Sequence, residues 1–502
     1  MTDLFGNVLL GLSTALTLTN LTFCLIGVFL GTLLGMIPGI GTLVAVSLLF
    51  PMTYHMDATS ALVMLAGIYY GTAYGGSIAS ILLNLPGTPA NAVACLDGYP
   101  MSNNGRAGVA LFMSAAGSFV GGSFGILLMM LFSPVIAENA LRFGAAEFFS
   151  LMLMGFVVAS TMSEGSTVKG LASVVLGVSF GLVGTDLNSG IWRFGFGVLD
   201  LMDGISLVAL AMGLFGVTEI VFAASAKDSG KTVQDVSLRS MIPTRDDIRR
   251  SWGPMARGSG IGAFFGTLPG TGGLIASFVA YAVEKRVAKE PERFGKGAIE
   301  GVVAPETANN AADQAAFIPT MTLGIPGSAT MAIMLGVLMI NGITPGPLLI
   351  KEQPDLFWGL VMSFWVGNIM LLVLNIPLIG LWVRILKIPS NLLYPAVLVF
   401  VCIGVFSVNY SPTDIWLVLV FAVLGYVLRM LDFPVAPLIL GFVLGPMLEE
   451  NFRRALLLSN GNPMTFFDRP ISGTIMVISA ALLVWSIWSA LRRRRPQQQA
   501  AA

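Results

Sequence analysis

Four places in this 502-residue sequence set a proline beside glycines and small polar side chains, inside otherwise apolar stretches. The first is Pro38-Gly39 with Gly41 and Thr42; the second is Asn84, Pro86-Gly87-Thr88 and Asn91. The third is Pro269-Gly270-Thr271-Gly272, and the fourth is Pro326-Gly327-Ser328 with Thr330. Proline removes a backbone donor and interrupts a helix, and glycine accepts positive φ. In a lipid environment the freed N–H and C=O groups are costly unless they line a polar cavity or are packed within protein. The N–H groups at a helix start suit anions, and free carbonyls suit Na⁺. Hydroxyls and amides at such breaks can hold a carboxylate, or complete a cation shell, without bringing a charge of their own. The competing reading is four packing kinks capped by Ser and Thr.

A second cluster lies in the stretch from Glu306 to Asp313, with Asn309 and Asn310 between them. Glu306 and Asp313 are seven residues apart and share one face if the stretch is helical. Carboxylates and amides at the entry to a broken helix could bind a coupling cation, and ionisable groups inside a membrane are functional candidates by default. The rival for Glu306 is a solvated position at the cytoplasmic interface. The matching stretch earlier in the chain, Tyr69–Ser77, is rich in Gly and Tyr and lacks carboxylates. The two halves of such a site need not contribute equally.

The elements that must carry these residues are membrane helices. The chain is 55% hydrophobic and 11% charged, against about 25% charged in soluble domains. Apolar blocks such as Leu201–Phe222, Phe357–Val383 and Ile471–Leu491 reach the roughly 20 residues that cross a bilayer. They recur to the C-terminus, so a single secretory signal does not explain them. The zero formal net charge leaves no nucleic-acid footprint. Cys24, Cys95 and Cys402 fit neither a disulfide framework nor a zinc site. His55 is the sole histidine and reads as loop. With no Ser–His pair in the membrane and no Asp-rich motif, an intramembrane enzyme is not expected.

Two halves resemble each other. Gly35–Thr42 matches Gly266–Gly273 at an offset of 231, and Leu83–Pro89 matches Leu323–Ala329 at an offset of 240. A charged insertion around Glu284–Lys296 absorbs the difference. Each half continues with four spans: Ala107–Phe132, Ala145–Met162, Val168–Thr185 and Leu201–Ala224, then Phe357–Val383, Leu392–Val408, Asp414–Leu428 and Pro434–Leu448. The expected organisation is an N-terminal apolar helix (1–20) and a first membrane repeat (21–224). A cytoplasmic linker (225–257), a second repeat (258–448) and an extramembrane loop (449–470) follow. A final membrane helix (471–491) and a basic tail (492–502) end the chain. Lys and Arg mark the cytoplasmic side, so Arg492–Arg495 and the basic linker lie inside, with Arg106, Lys169, Arg384, Lys387 and Arg429. The segment Gly258–Tyr281 then starts and ends inside, and is read as a re-entrant hairpin turning at Pro269-Gly270. Leu21–Phe50 has no basic flank and is read as a hairpin from outside. The expectation is an all-α polytopic membrane protein of about 10–12 segments, built as two inverted-topology repeats with re-entrant hairpins and broken helices. Arg142, Arg193, Lys351, Arg453, Arg454 and Arg469 run against the charge rule. Glu164, Asp186, Asp200, Asp203 and Glu219 fall near span ends and read as interfacial.

The stretches Gly35–Thr42, Tyr69–Met101, Gly266–Ile275 and Ala304–Pro347 resemble the large membrane subunit, the TctA type, of tripartite tricarboxylate transporters. Leu85-Pro86-Gly87-Thr88-Pro89-Ala90 and Thr322-Leu323-Gly324-Ile325-Pro326-Gly327 are the most specific parts. The resemblance implies a small membrane subunit and a periplasmic substrate-binding protein as partners. It also implies a carboxylate substrate, and secondary transport driven by an ion gradient, commonly Na⁺. It places the chain in the inner membrane of a Gram-negative bacterium, with no organic cofactor and no metal other than Na⁺ as coupling ion. The chain has no phosphate-binding Gly-Lys-Ser/Thr loop. A stand-alone ion-coupled transporter or channel for organic anions is the alternative.

Overall fold

The computed structural model describes residues 4–37, 40–162, 166–186, 189–225, 236–268, 272–386 and 390–499. Helix dominates them, as it must where backbone groups have no water to bond. The first half runs α1 (Leu4–Ala15), α2 (Leu18–Gly35), α3 (Thr42–Leu49), α4 (Ala58–Leu83), α5 (Ala94–Met101), α6 (Ala107–Ala140), α7 (Ala145–Met162) and α8 (Thr167–Gly181). It closes with α9 (Leu207–Ala211), which continues through a π-helical turn, Met212–Val217, into α10 (Thr218–Ser225). The second half opens with α11 (Arg245–Gly266), α12 (Gly272–Val287), α13 (Glu300–Ala315), α14 (Phe317–Leu323) and α15 (Ala329–Ile340). It continues with α16 (Leu349–Glu352), α17 (Pro354–Asn375), α18 (Ile379–Ile385), α19 (Ser390–Asn409), α20 (Pro412–Met430) and α21 (Ala436–Leu458). The short α22 (Thr465–Asp468) and α23 (Pro470–Gln499) end the described chain.

Four helical stretches are long and apolar enough to cross a membrane: Leu18–Gly35, Pro89–Ala140, Pro354–Asn375 and Pro412–Met430. Eight shorter apolar helices accompany them. This is a multi-pass membrane protein. The long spans are fewer than the segments the sequence suggests, because interruptions divide the apolar blocks. Phe357–Val383 is split after Asn375 into α17 and α18. The block from Leu201 becomes helical only at Leu207, after a 3₁₀ turn at Leu199–Leu201. The block Val168–Thr185 leaves the helix at Gly181 and ends in a two-residue antiparallel ladder, Gly184–Thr185 against Trp192–Arg193. Ala107–Phe132, in contrast, runs on as helix to Ala140. His55 lies in a turn, as expected, near the Ser407 carbonyl at 3.2 Å.

The centre is formed by α4 and α13, buried from Ser60 to Leu83 and from Gly301 to Ala315. Helix α2 packs along α4, and α11 packs along α13. Both pairs use the same device. A Cβ on Gly27, Gly31 or Gly35 would fall 2.3, 2.5 and 2.3 Å from the carbonyl oxygens of Met64, Ile68 and Thr72. A Cβ on Gly258, Gly262 or Gly266 would fall 2.6, 2.2 and 2.4 Å from those of Ala304, Ala308 and Ala312. Close backbone approach over small residues four apart is how helices associate where lipid offers no hydrophobic drive. The two glycine series are 231 residues apart and their partners 240, the offsets that also separate the break motifs. The difference is taken up where α12 has 16 residues and α3 has 8.

Outside this centre the halves exchange partners. Helix α6 packs on α13, and α17 on α4; α8 packs on α21, and α20 on the α9–α10 segment. Several basic residues that defy the charge rule are held by carboxylates. Arg193 lies 2.9 Å from Glu449, Arg453 lies 2.6 Å from Glu449 and 3.1 Å from Asp186, and Arg469 lies 2.6 Å from the buried Glu147. A paired arginine no longer presents a bare charge, so it weighs less on orientation than an isolated one. On the linker side, Arg257 of α11 joins Glu284 of α12 at 2.6 Å, and Arg106 joins Asp247 at 2.7 Å.

Adding a methyl at Gly262 drives Cβ into backbone, which a rotamer change cannot relieve. Gly262→Ala is expected to destabilise the detergent-solubilised protein by about 1–3 kcal/mol. Gly260→Ala, on the open side of the same helix with nothing within 4 Å, should instead be neutral or stabilising by up to about 1 kcal/mol. Thermal unfolding of the two variants checks the contrast.

Candidate functional site

Each broken helix stops in the same way. Helix α4 ends at Leu83, and Asn84 then takes left-handed φ 56°, ψ 36°. Helix α14 ends at Leu323, and Gly324 takes φ 68°, ψ 23°. Asn and Gly are the residues that enter this region at least cost. The chain restarts with Thr88 before the 3₁₀ turn Pro89–Val93, and with Ser328 before α15. The Ser328 hydroxyl accepts from the Met331 N–H at 3.3 Å and caps that helix.

The turns are pressed onto the ends of the neighbouring glycine-packed helices. A Cβ on Gly87 would fall 2.0 Å from the Gly35 carbonyl oxygen and 2.5 Å from the Gly76 Cα. A Cβ on Gly327 would meet the Gly266 carbonyl oxygen at 3.3 Å and the Ala316 Cβ at 3.2 Å. Thus each half brings its own two breaks together. Pro38, Gly39, Pro269, Gly270 and Thr271, the hairpin tips of the sequence reading, lie outside the described residues; Gly41, Thr42 and Gly272 flank them.

A cavity of about 1030 Å³ takes residues from all four breaks. Gly41 and Thr42 come from the first, Pro86, Gly87 and Thr88 from the second, Gly272 from the third, and Ser328 and Thr330 from the fourth. Asn309 and Asp313 reach it from α13, and Tyr69 from α4. Asn84, Asn91, Pro326, Gly327, Glu306 and Asn310 do not line it. Thr42 is held by the Thr72 hydroxyl, which donates to its oxygen at 2.9 Å. The Tyr69 hydroxyl donates to Asp313 Oδ1 at 2.8 Å, tying the central helices of the two halves together at the cavity wall.

Glu306 lies off the cavity and is 2% exposed. The solvated-interface reading of this residue therefore fails. Its Oε2 accepts from the Ser77 hydroxyl at 2.6 Å and from the Ser118 hydroxyl at 3.5 Å, and its Oε1 accepts from Asn91 Nδ2 at 3.2 Å. Asn91 also donates to Ser77 Oγ at 2.9 Å and accepts from the Thr88 hydroxyl at 2.5 Å. Every one of these donors belongs to the first half. Among the described residues no basic side chain pairs with Glu306. Asn310 bonds back to the Glu306 carbonyl at 3.1 Å within its own helix. The four-residue cluster of the sequence therefore divides: Asn309 and Asp313 face the cavity, Glu306 supports the break at Thr88–Asn91, and Asn310 serves its helix. Among the described residues no group of three His, Cys, Asp or Glu could hold a metal ion.

Sequence reasoning did not single out Tyr69, Ser77 or Ser118. Tyr69 was within reach, since the 240-residue offset maps it onto Asn309. Ser118 carries no comparable signal, because it meets Glu306 only through the packing of α6 on α13. Lys169, Glu219 and Arg429, which read as topology markers or interfacial groups, also line the cavity.

Apolar helices, interruptions converging on one cavity, and a buried carboxylate bridging the halves define a membrane transport component. Residues 21–440 match the model described as "Tripartite tricarboxylate transporter TctA family", and the chain belongs to that family. It is 45% identical to a protein of Agrobacterium vitis named "Uncharacterized 52.8 kDa protein in TAR-I ttuC' 3'region", over 99% of this chain and 98% of that one. A second Agrobacterium vitis protein, "Uncharacterized protein in TAR-II ttuC' 3'region", is 48% identical over 47% of this chain and 98% of its own length. No solved structure matches.

Glu306→Ala removes the acceptor of one Asn91 N–H, while the Ser77 hydroxyl can still donate to the Ala73 carbonyl at 2.9 Å. The stranded donor should cost about 1–3 kcal/mol. Glu306→Gln keeps an acceptor oxygen and should cost less. Comparing the unfolding midpoints of the two variants in detergent is the check.

Proposed function

We propose that this chain is the large transmembrane subunit of a tripartite secondary transporter that imports tricarboxylates or related carboxylates. A periplasmic binding protein delivers the substrate, a small membrane subunit accompanies the chain, and an ion gradient, Na⁺ in the first instance, drives uptake. The observation that carries this reading is that one cavity is lined from all four breaks. Its wall offers the hydroxyls of Thr42, Thr88, Ser328 and Thr330, and it lies at the helix starts that follow the breaks. Those groups suit a carboxylate. Each hydrogen bond to a charged group contributes about 1.5–3 kcal/mol, so several neutral donors can replace much of an anion's hydration. The Asp313 carboxylate and the Asn309 amide supply oxygen donors on the same wall, and are the coupling-ion ligands in this proposal. Glu306 and Asn310 act from behind them.

In this reading the halves are inverted repeats, and α2–α3 and α11–α12 are re-entrant hairpins entering from opposite faces. The exchange of packing partners between halves and the two matched glycine series support a twofold relation. The linker and the basic tail at Arg492–Arg495 are cytoplasmic, in a bacterial inner membrane. The end of the cavity that carries Lys169 and Arg429 then opens to the cytoplasm.

Uptake of radiolabelled citrate, succinate and related acids into proteoliposomes holding all three proteins, with and without a Na⁺ gradient, tests the proposal. Failure to move any carboxylate in the complete system would sink it. Gly87→Val, which forces side chain into the Gly35 carbonyl, should lower uptake at least about tenfold with the protein still in the membrane. Gly327→Ala, with looser surroundings, should retain more activity than Gly87→Ala. Asp313→Asn should weaken the dependence on Na⁺ concentration more than the choice among carboxylates. An unaltered Na⁺ dependence removes Asp313 from the ion site.

A further inference from the structure

The cavity carries charge that the breaks do not use. Lys169 near the start of α8, Arg429 in the last turn of α20 and Glu219 in α10 all line it. Asp432, just past α20, lines it too and makes no ion pair among the described residues. The Arg429 guanidinium is 2.5 Å from Glu219 and 4.1 Å from the centroid of the Phe222 ring. Arg429 is 45% exposed, so this end of the cavity meets solvent. The Lys169 ammonium donates to the Leu431 carbonyl at 2.6 Å and lies 5.4 Å from the centroid of the Phe433 ring. Among the described residues it has no carboxylate partner. An ammonium has three donors, and Leu431 takes one. Carbonyl and ring together fix the position of the cation without neutralising it. Arg429, in contrast, is already matched by Glu219, and its planar fork can take a second carboxylate beside the first.

At about 1030 Å³ the cavity is as large as the upper end of the range for drug-sized ligands, roughly 300–1,000 Å³. A small carboxylate held among the breaks leaves space toward the Lys169 end. We infer that Lys169, assisted by Arg429, forms a second carboxylate subsite at the mouth of the cavity. It holds one carboxylate of a di- or tricarboxylate as the solute passes between the breaks and the cytoplasm. This inference rests on the transport reading above and adds a station that the breaks do not provide. The mouth subsite acts only on solute that enters or leaves by that face, which separates it from a purely structural clasp between α8 and the turn after α20.

The test is carboxylate exchange in proteoliposomes of the full complex, in right-side-out and inside-out orientations, with citrate and succinate as probes. Lys169→Gln is expected to raise the half-saturation concentration on the cytoplasmic face about tenfold and to leave that on the opposite face within about twofold. Lys169→Arg, which keeps the charge, should stay near the wild type on both faces. Arg429→Gln is the second variant and should show the same one-sided effect, smaller in size. Unchanged half-saturation on the cytoplasmic face, or an equal rise on both faces, overturns the subsite. If the wild-type complex moves neither probe, the transport reading itself fails. If the wild type moves them and Lys169→Gln behaves identically, only the mouth subsite falls.

Discussion

Contact between glycine Cα atoms and carbonyl oxygens sets the frame of this molecule. Along α2–α4 and α11–α13 the backbones approach so closely that no side chain fits between them, at three successive helical turns in each pair. Lipid gives helices no reason to bury apolar surface, so van der Waals contact at this range must do much of the holding. The same contact fixes the height of each pair, because a slide by one residue would put side chains against carbonyls. Gly35 and Gly266 terminate these series and are the residues against which the turns at Gly87 and Gly327 rest. The positions of the breaks therefore follow from the packing of straight helices, not from the breaks themselves.

The polar network depends on that frame and is uneven. The carboxylates Glu306 and Asp313 stand on α13, and their described side-chain donors, Ser77, Asn91, Ser118 and Tyr69, stand on the first half. A buried carboxylate left without donors is costly, so the two halves cannot separate at this level without a large loss. The network joins a cavity wall, Tyr69 with Asp313, to a support layer beneath it, Glu306 with Asn91. Asn91 passes that support to Thr88, which faces the cavity.

Much of this could be read from the chain. The four Pro-Gly sites and the two offsets are visible in it, because a broken apolar stretch leaves a local mark, whereas the shared face of Glu306 and Asp313 follows only once the stretch is known to be helix. Convergence of the sites on one cavity needed the structure, since it depends on contacts over more than 200 residues of sequence. The glycine series at 27, 31, 35 and 258, 262, 266 was legible in principle, and it repeats with the same 231-residue offset. Glu306 and Asp313 looked alike by spacing, yet they differ because α6 covers one and the cavity opens beside the other. Lys169 and Arg429 were read for topology, a use of charge that conceals any second role. The break after Asn375 does carry a local mark, Pro377, but without the small polar neighbours of the other four sites it does not stand out, and Phe357–Val383 reads as one span.

The division of labour between acid and donor has an evolutionary corollary. Two copies of the first half alone would assemble a core with serine, asparagine and tyrosine on both sides and no carboxylate for them to serve. Two copies of the second half would set acid against acid. If the chain arose by joining two identical units, the joined product became free to let each unit lose what the other kept. Once that had happened, neither unit could return to life as a symmetric pair.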